Sequence, residues 1–249
     1  MAKRSTNSKA PSPPLITKKS GYVAFLDILG FKELLMKPTH AKIIEEMVEA
    51  LRQRVEYDEK HYTYLSYISI SDSIIITADD GQGLGLVRKI AQVQTALLKQ
   101  GFAVRGAISH GPILTYSGTM GRNIFGKTYL NAYQAEQALA VYPRVVLESE
   151  DTANKIWEDI KEETDRSVST YISRDKSDGI WFVNQFSSQV IGRNSKVLKN
   201  RKKAEEERAV FAAKIKAALT GTEEEPRAHM KWRWLNRHLL DKLPTEEAP

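Results

Sequence analysis

Two β-prone apolar runs in this chain are each interrupted by one carboxylate. Residues 22–29 read Tyr-Val-Ala-Phe-Leu-Asp-Ile-Leu, bounded by Gly21 and Gly30, and carry Asp27. Residues 62–77 are rich in Tyr, Ile, Ser and Thr and carry Asp72 inside Ser71-Asp72-Ser73. The first run predicts a buried strand, the second two paired strands turning at that Ser-Asp-Ser. A carboxylate at the edge of an apolar strand costs desolvation unless a positive group compensates it. Each acid also has a plain structural use, Asp27 at a helix start and Asp72 in a turn. If their strands pair, however, two hard oxygen ligands meet, which suits divalent metal held against a polyphosphate.

Composition narrows the chemistry further. The 249 residues are 41% hydrophobic and 27% charged, enough for one core and an appendage. There is no cysteine, so disulfides, thiolate zinc sites and a cysteine nucleophile are excluded, and any metal must be oxygen-ligated. No apolar run reaches the roughly 20 residues that span a bilayer. Residues 1–20 lack the apolar stretch of a signal peptide. A cytoplasmic location without membrane attachment is expected, with 1–18 as a disordered basic arm. The net charge of +6 is spread over 3–19, 193–203 and 231–237, with no nucleic-acid-binding module beside it. It reads as a solvated surface that attracts a small polyanionic substrate rather than nucleic acid.

The remaining periodicities give a helix over 31–57 broken near Pro38, a loop at 81–85 and a helix over 86–100. The apolar stripe of the first helix is read as Leu34, Leu35, Ile43, Ile44, Met47, Val48, Leu51 and Val55. A strand over 102–109 ends at His110-Gly111-Pro112, and 118–126 reads as a glycine-punctuated loop before a helix over 128–141. A short strand at 144–148, a helix over 150–161 and a hairpin of 168–174 with 179–186 follow. The order is the βαββαβ, ferredoxin-like pattern of an α+β fold. From about residue 194 the chain turns charged and Ala-rich: a helix over 196–219, a break at 221–226, and a last helix from Lys231. The expected division is 19–190 for the catalytic domain and 191–249 for a helical C-terminal extension.

The motif Phe25-x-Asp27-Ile28-x-Gly30-Phe31 resembles the first metal-binding motif of class III adenylate and guanylate cyclases. Ser71-Asp72-Ser73, Val104-Arg105-Gly106-Ala107-Ile108-Ser109-x-Gly111 and Phe125-Gly126-x-x-Tyr129-x-x-Ala132-Tyr133-x-x-Glu136 resemble a narrower branch. That branch is the pyrimidine cyclases of the bacterial Pycsar anti-phage systems, and Lys231-Trp232-Arg233-Trp234-Leu235 resembles their C-terminal end. The resemblance implies a class III cyclase core that converts UTP to 3′,5′-cyclic UMP and pyrophosphate, with CTP as the alternative substrate. It implies a homodimer with composite active sites, two Mn²⁺ or Mg²⁺ ions per site, and a separate effector that responds to the cyclic nucleotide. Asp27 and Asp72 would be the metal ligands, with Ile28 contributing its carbonyl.

The third helix departs from the broader class, in which an Asn and, four residues later, an Arg steady the transition state. Those places hold Leu130 and Gln134 here, with Asn131 and Tyr133 adjacent. A neutral amide does not replace a guanidinium over a developing phosphorane. That role is therefore either lost or moved to another cation, Arg105, Arg122 or Lys127, with Arg105 preferred as the catalytic one. Arg105 interrupts an apolar strand and needs either a nucleotide or a carboxylate such as Asp27 or Asp72 as partner. Phe25, Gly30, Phe31, Tyr64, Arg105, Lys127, Tyr133 and Gln134 form the expected nucleotide-binding set. Tyr64 and Tyr67 are read either as base-stacking residues or as core. Gly121-x-x-x-x-Gly126-Lys127-Thr128 fits the letters of a phosphate-binding P-loop but lacks its strand context, and is read as a loop near the triphosphate. Two further alternatives are a catalytically silent nucleotide-binding regulatory domain and a nucleic-acid binder acting through the basic segments.

Overall fold

The computed structural model describes residues 15–118, 121–163, 170–187 and 197–241. Strand β1 (Leu15–Ile28) lies at the centre, antiparallel to β3 (Ser73–Asp79) on one side and to β4 (Val104–Gly118) on the other. Strand β2 (Leu65–Ile70) pairs antiparallel with β3 across the turn at Ser71-Asp72. β1 and β2 thus run the same way with β3 between them, and β3 and β4 with β1 between them. These are two interlocked split βαβ units. Their crossovers are α1 (Phe31–Leu35) with α2 (His40–His61), and α3 (Gly83–Lys99).

The sheet then grows past β4 through β6 (Val145–Leu147), which is parallel to it, and the hairpin of β7 (Ile172–Arg174) and β8 (Trp181–Val183). A further strand, β5 (Gly121–Phe125), pairs with the far half of β4. Helices α4 (Lys127–Leu139) and α5 (Glu150–Glu163) connect these strands, and α6 (Val197–Gly221) and α7 (Pro226–Leu240) follow them.

Strand alternation divides β1 between two cores. Tyr22, Ala24, Leu26 and Ile28 belong to a large cluster with residues of α2, α3 and α5. Val23 and Phe25 face the other way, into a cluster with Ile75, Ile113 and Ala132 of α4. Asp27 continues that second series, so its carboxylate belongs to the α4 side of the sheet. The same side carries Ala107 and Val146, covered by Phe211 and Ile215 of α6 and by Trp234, Leu235 and Leu239 of α7. The C-terminal helices therefore complete the core on this side of the sheet.

Several expected boundaries shift. β1 starts at Leu15, so residues 15–18 belong to the sheet and not to a basic arm; residues 1–14 lie outside the described residues. β4 runs straight through His110-Gly111-Pro112, because fourteen consecutive β1 residues pair with it, from Leu15↔Ser117 to Ile28↔Val104. The expected glycine-punctuated loop at 118–126 contains β5, whose Leu114↔Phe125 to Gly118↔Gly121 register makes a hairpin with β4. The break near Pro38 separates α1 from α2 as read. Leu35 and Val48 are nonetheless 45% and 49% exposed, so they lie off the buried stripe. α7 begins five residues before Lys231, at Pro226, a residue suited to the first helical turn.

Candidate active site

Asp27 is the penultimate residue of β1, with Ser73 opposite it on β3 and Arg105 on β4. The next amide, that of Ile28, donates to the carbonyl of Asp72 at 3.1 Å. The two predicted acids are therefore brought to one end of the sheet by strand pairing. The β2–β3 turn is tightened at Ser71, whose φ of 58° is unusual for a residue with a side chain.

Arg105 stands between two carboxylates. Its Nε donates to Asp27 Oδ2 at 3.0 Å and lies 2.7 Å from Oε1 of Glu136 on α4. Glu136 is fully buried, and its Oε1 accepts no hydrogen bond, so charge alone couples it to the guanidinium. Burial holds the Asp27 carboxyl above its ordinary value, against the opposing pull of Arg105, and the Asp72 charge adds to the rise. Glu136 is also raised, chiefly by burial, again against Arg105. The cluster is short of positive charge.

One more cation reaches it. Lys231, on α7, interacts through charge with Arg105, Asp27 and Glu33, and burial lowers its ammonium from the ordinary value. Neither Glu136 nor Lys231 was among the expected site residues. The buried spacing of Thr128, Ala132, Ala135 and Glu136 on α4 was a usable signal for the first. Lys231 opens the Lys231-Trp232-Arg233-Trp234-Leu235 motif, but only the docking of α7 brings it near Asp27.

The other expected residues are distributed as follows. Phe25 is buried, edge-on to Tyr129 and Tyr133 with ring centroids 6.1 Å and 5.3 Å away. Gly30 adopts φ 79° and precedes the buried Phe31 at the start of α1, just beyond Asp27. Tyr64 lies at the far end of β2, roughly 20 Å along the strand from Asp72. There it packs on α3, where a Cβ on Gly85 would meet its hydroxyl at 2.7 Å. Within one chain Tyr64 is thus placed against the core and away from Asp72, and Tyr67 is a core residue. Lys127 and Gln134 are exposed on α4. Gln134 is about 200° around the helix from Glu136, and Lys127 about 13 Å along it, so neither faces Asp27 within one chain. The P-loop letters have no loop beneath them, because 121–125 is a strand and Thr128 Oγ1 donates to the Pro112 carbonyl at 2.7 Å.

The donor set fits a hard divalent cation. Two carboxylates and the Ile28 carbonyl all offer oxygen donors, and Asp27 shares its one ion-pair partner, Arg105, with Glu136. No group of three or more His, Cys, Asp or Glu suited to a metal occurs among the described residues. A metal held by one or two carboxylates and completed by substrate phosphates is the usual magnesium arrangement.

No protein-family profile matches the chain, and no curated protein sequence matches it. Solved structures do. The adenylyl cyclase CyaB from P. aeruginosa superposes with a TM-score of 0.52 at 16% identity, covering 68% of this chain and 95% of that one. The monomeric guanylyl cyclase domain of the RhoGC fusion protein from the aquatic fungus Blastocladiella emersonii superposes at 0.51 and 12%, covering 68% and 96%. A dimeric form of the latter domain gives 0.50 and 11%, covering 68% and 94%. The α+β fold is thus that of the class III cyclases, with two C-terminal helices added to its core.

Proposed function

We propose that this chain is a metal-dependent pyrimidine nucleotide cyclase, converting UTP to 3′,5′-cyclic UMP and pyrophosphate in a homodimer. The observation that carries the reading is the meeting of Asp27 and Asp72 at one sheet end, in a fold whose solved relatives are described as nucleotide cyclases. Asp27, Asp72 and the Ile28 carbonyl are the ligands for Mn²⁺ or Mg²⁺, two ions per site. When bound, the metal lowers the pKa of the ribose 3′-hydroxyl and offsets charge on the α-phosphate.

In the reaction the 3′-oxygen bonds to the α-phosphorus while the bond from that phosphorus to the α,β-bridging oxygen breaks. The hydroxyl proton passes to solvent, and pyrophosphate leaves with the electron pair. The backbone turn over Leu29-Gly30-Phe31 lies beside the phosphates, and Phe25 with Tyr133 borders the base. Arg105 holds Asp27 in place and neutralises part of its charge, while the exposed Lys127 and Gln134 of α4 face the partner protomer. The likeness of the four motifs to the Pycsar branch supports the pyrimidine base, the anti-phage role, the separate effector and the cytoplasmic location.

The test is product analysis of the purified protein with Mn²⁺ and each of ATP, GTP, CTP and UTP. Cyclic UMP from UTP alone is the expected result. Cyclic CMP reassigns the base, and a purine product discards the branch while keeping the chemistry. No product from any triphosphate overturns the enzyme reading in favour of a silent nucleotide-binding domain. Asp72→Ala with undiminished turnover overturns the metal assignment.

A further inference from the structure

Cyclisation of a nucleoside triphosphate builds charge on a phosphorane and on departing pyrophosphate, and a nearby cation stabilises both. The motifs leave that cation unassigned. Arg105 is committed to Asp27 and Glu136. Arg122 donates to Ser66 Oγ at 2.7 Å, on the side chain of a β2 residue. Lys127 is displaced along α4.

Lys231 is differently placed. Its helix docks on the sheet face that carries the site: Trp234 and Leu235 of α7 share one apolar cluster with Ala103, and Trp232 and Leu29 pack against that cluster. Leu29 and Ala103 are the residues just past Asp27 and just before the Arg105 strand, and the Leu29 amide donates to the Ala103 carbonyl at 2.9 Å. Lys231 is half-buried there, and among the described residues it forms no ion pair within 4 Å. Asp27 and Glu33 attract this ammonium without forming an ion pair with it, and Arg105 and Arg227 repel it, so a partly desolvated cation is left that an arriving anion would stabilise.

We propose that Lys231 binds the nucleotide polyphosphate from within the same chain, filling with a C-terminal helix the role that α4 does not supply. The inference rests on the cyclase reading of the site. It makes the C-terminal extension part of the active site as well as part of the core, and it identifies the ligand chemistry as an inorganic or nucleoside polyphosphate.

The experiment uses the full chain as wild type, Lys231→Met, Lys231→Arg and Lys216→Met, the last an exposed control on α6. Calorimetry reads the binding of inorganic tripolyphosphate with Mn²⁺, thermal melts check folding, and nucleotide turnover is measured in parallel. Lys231→Met should weaken tripolyphosphate binding by about tenfold or more. Lys231→Arg should stay within a few-fold, and Lys216→Met should match wild type. Lys231→Gln repeats the comparison if methionine unfolds the helix. Equal tripolyphosphate affinity in wild type and the folded Lys231 variants overturns the proposal. Lys231-dependent binding without turnover of any nucleoside triphosphate overturns the cyclase reading and keeps the lysine assignment. Turnover of UTP that Lys231→Met leaves unchanged, in KM and in tripolyphosphate affinity, overturns the lysine assignment alone.

Discussion

Arg105 serves Asp27 and Glu136 with one guanidinium, so its loss leaves both carboxylates without an ion-pair partner and only the more distant Lys231 acting on Asp27. Both acids have folded-state pKa values above their ordinary 3.8 and 4.5. For such groups stability is full below the ordinary pKa and is lost as pH rises through the folded value. Removing Arg105 raises both further and widens that window. Arg105→Met should therefore cost about 2 kcal/mol at pH 7, below the 3–5 of a wholly buried pair because Asp27 and Arg105 keep some solvent contact. The deficit should shrink toward pH 4.5. Urea titrations at the two pH values check it, and a pH-independent deficit would assign the effect to packing. That a strand arginine needs an anion was legible in the sequence. That one anion is Glu136 was not, since helix periodicity puts it on a buried face without saying what it meets.

At the scale of elements, the site depends on the closeness of β1 and β4 and on the chain reversal after β1. A Cβ on Gly106 would lie 2.5 Å from the Phe25 carbonyl oxygen and 2.7 Å from a Leu26 methyl, one register step from Asp27. A Cβ on Gly30 meets nothing within 4 Å, but the backbone there is left-handed. The two substitutions therefore fail for different reasons. Gly30→Ala should cost about 1 kcal/mol of backbone strain and leave the sheet intact. Gly106→Ala should cost about 2–3 kcal/mol by overpacking and disturb the site as well. Denaturant melts with hydrogen exchange on β1 and β4 separate the cases, and equal costs with equal exchange would refute the distinction. The same scale explains β5: glycines at 118, 121 and 126 read as a loop, but the extended second half of β4 offers a free edge for 121–125 to pair with.

Across the whole molecule, one buried arginine ties the extension to the domain. Arg144 is 1% exposed, pairs with Asp175 at 2.8 Å and with Asp178, and lies under the rings of Tyr142, Phe182 and Trp234. The Trp234 indole also donates to Asp175 at 3.0 Å. The opposite end of the molecule is less well covered. Ile16, Leu114 and Phe125 stand on one face of the β1–β4–β5 arm with exposures of 69%, 38% and 54%. The proposed homodimer would bury such a surface. Phe125→Asp should shift the protein toward monomer in sedimentation and lower turnover without lowering the melting temperature of the monomer. An unchanged dimer would remove the arm from the interface.

The sequence by itself determined the βαββαβ order, the hairpin at Ser71-Asp72-Ser73 and the two acids that meet at one sheet end, because strand alternation, turn residues and lone carboxylates in apolar runs are local signals. It also carried the departure at Leu130 and Gln134, which is a matter of residue identity. Tertiary structure alone decided that Tyr64 packs against the core beside Gly85, that Glu136 shares Arg105 with Asp27, and that Lys231 reaches the site from some two hundred positions away. Those are consequences of how elements dock, and docking is fixed by burial summed over the whole core, which no local window of sequence contains.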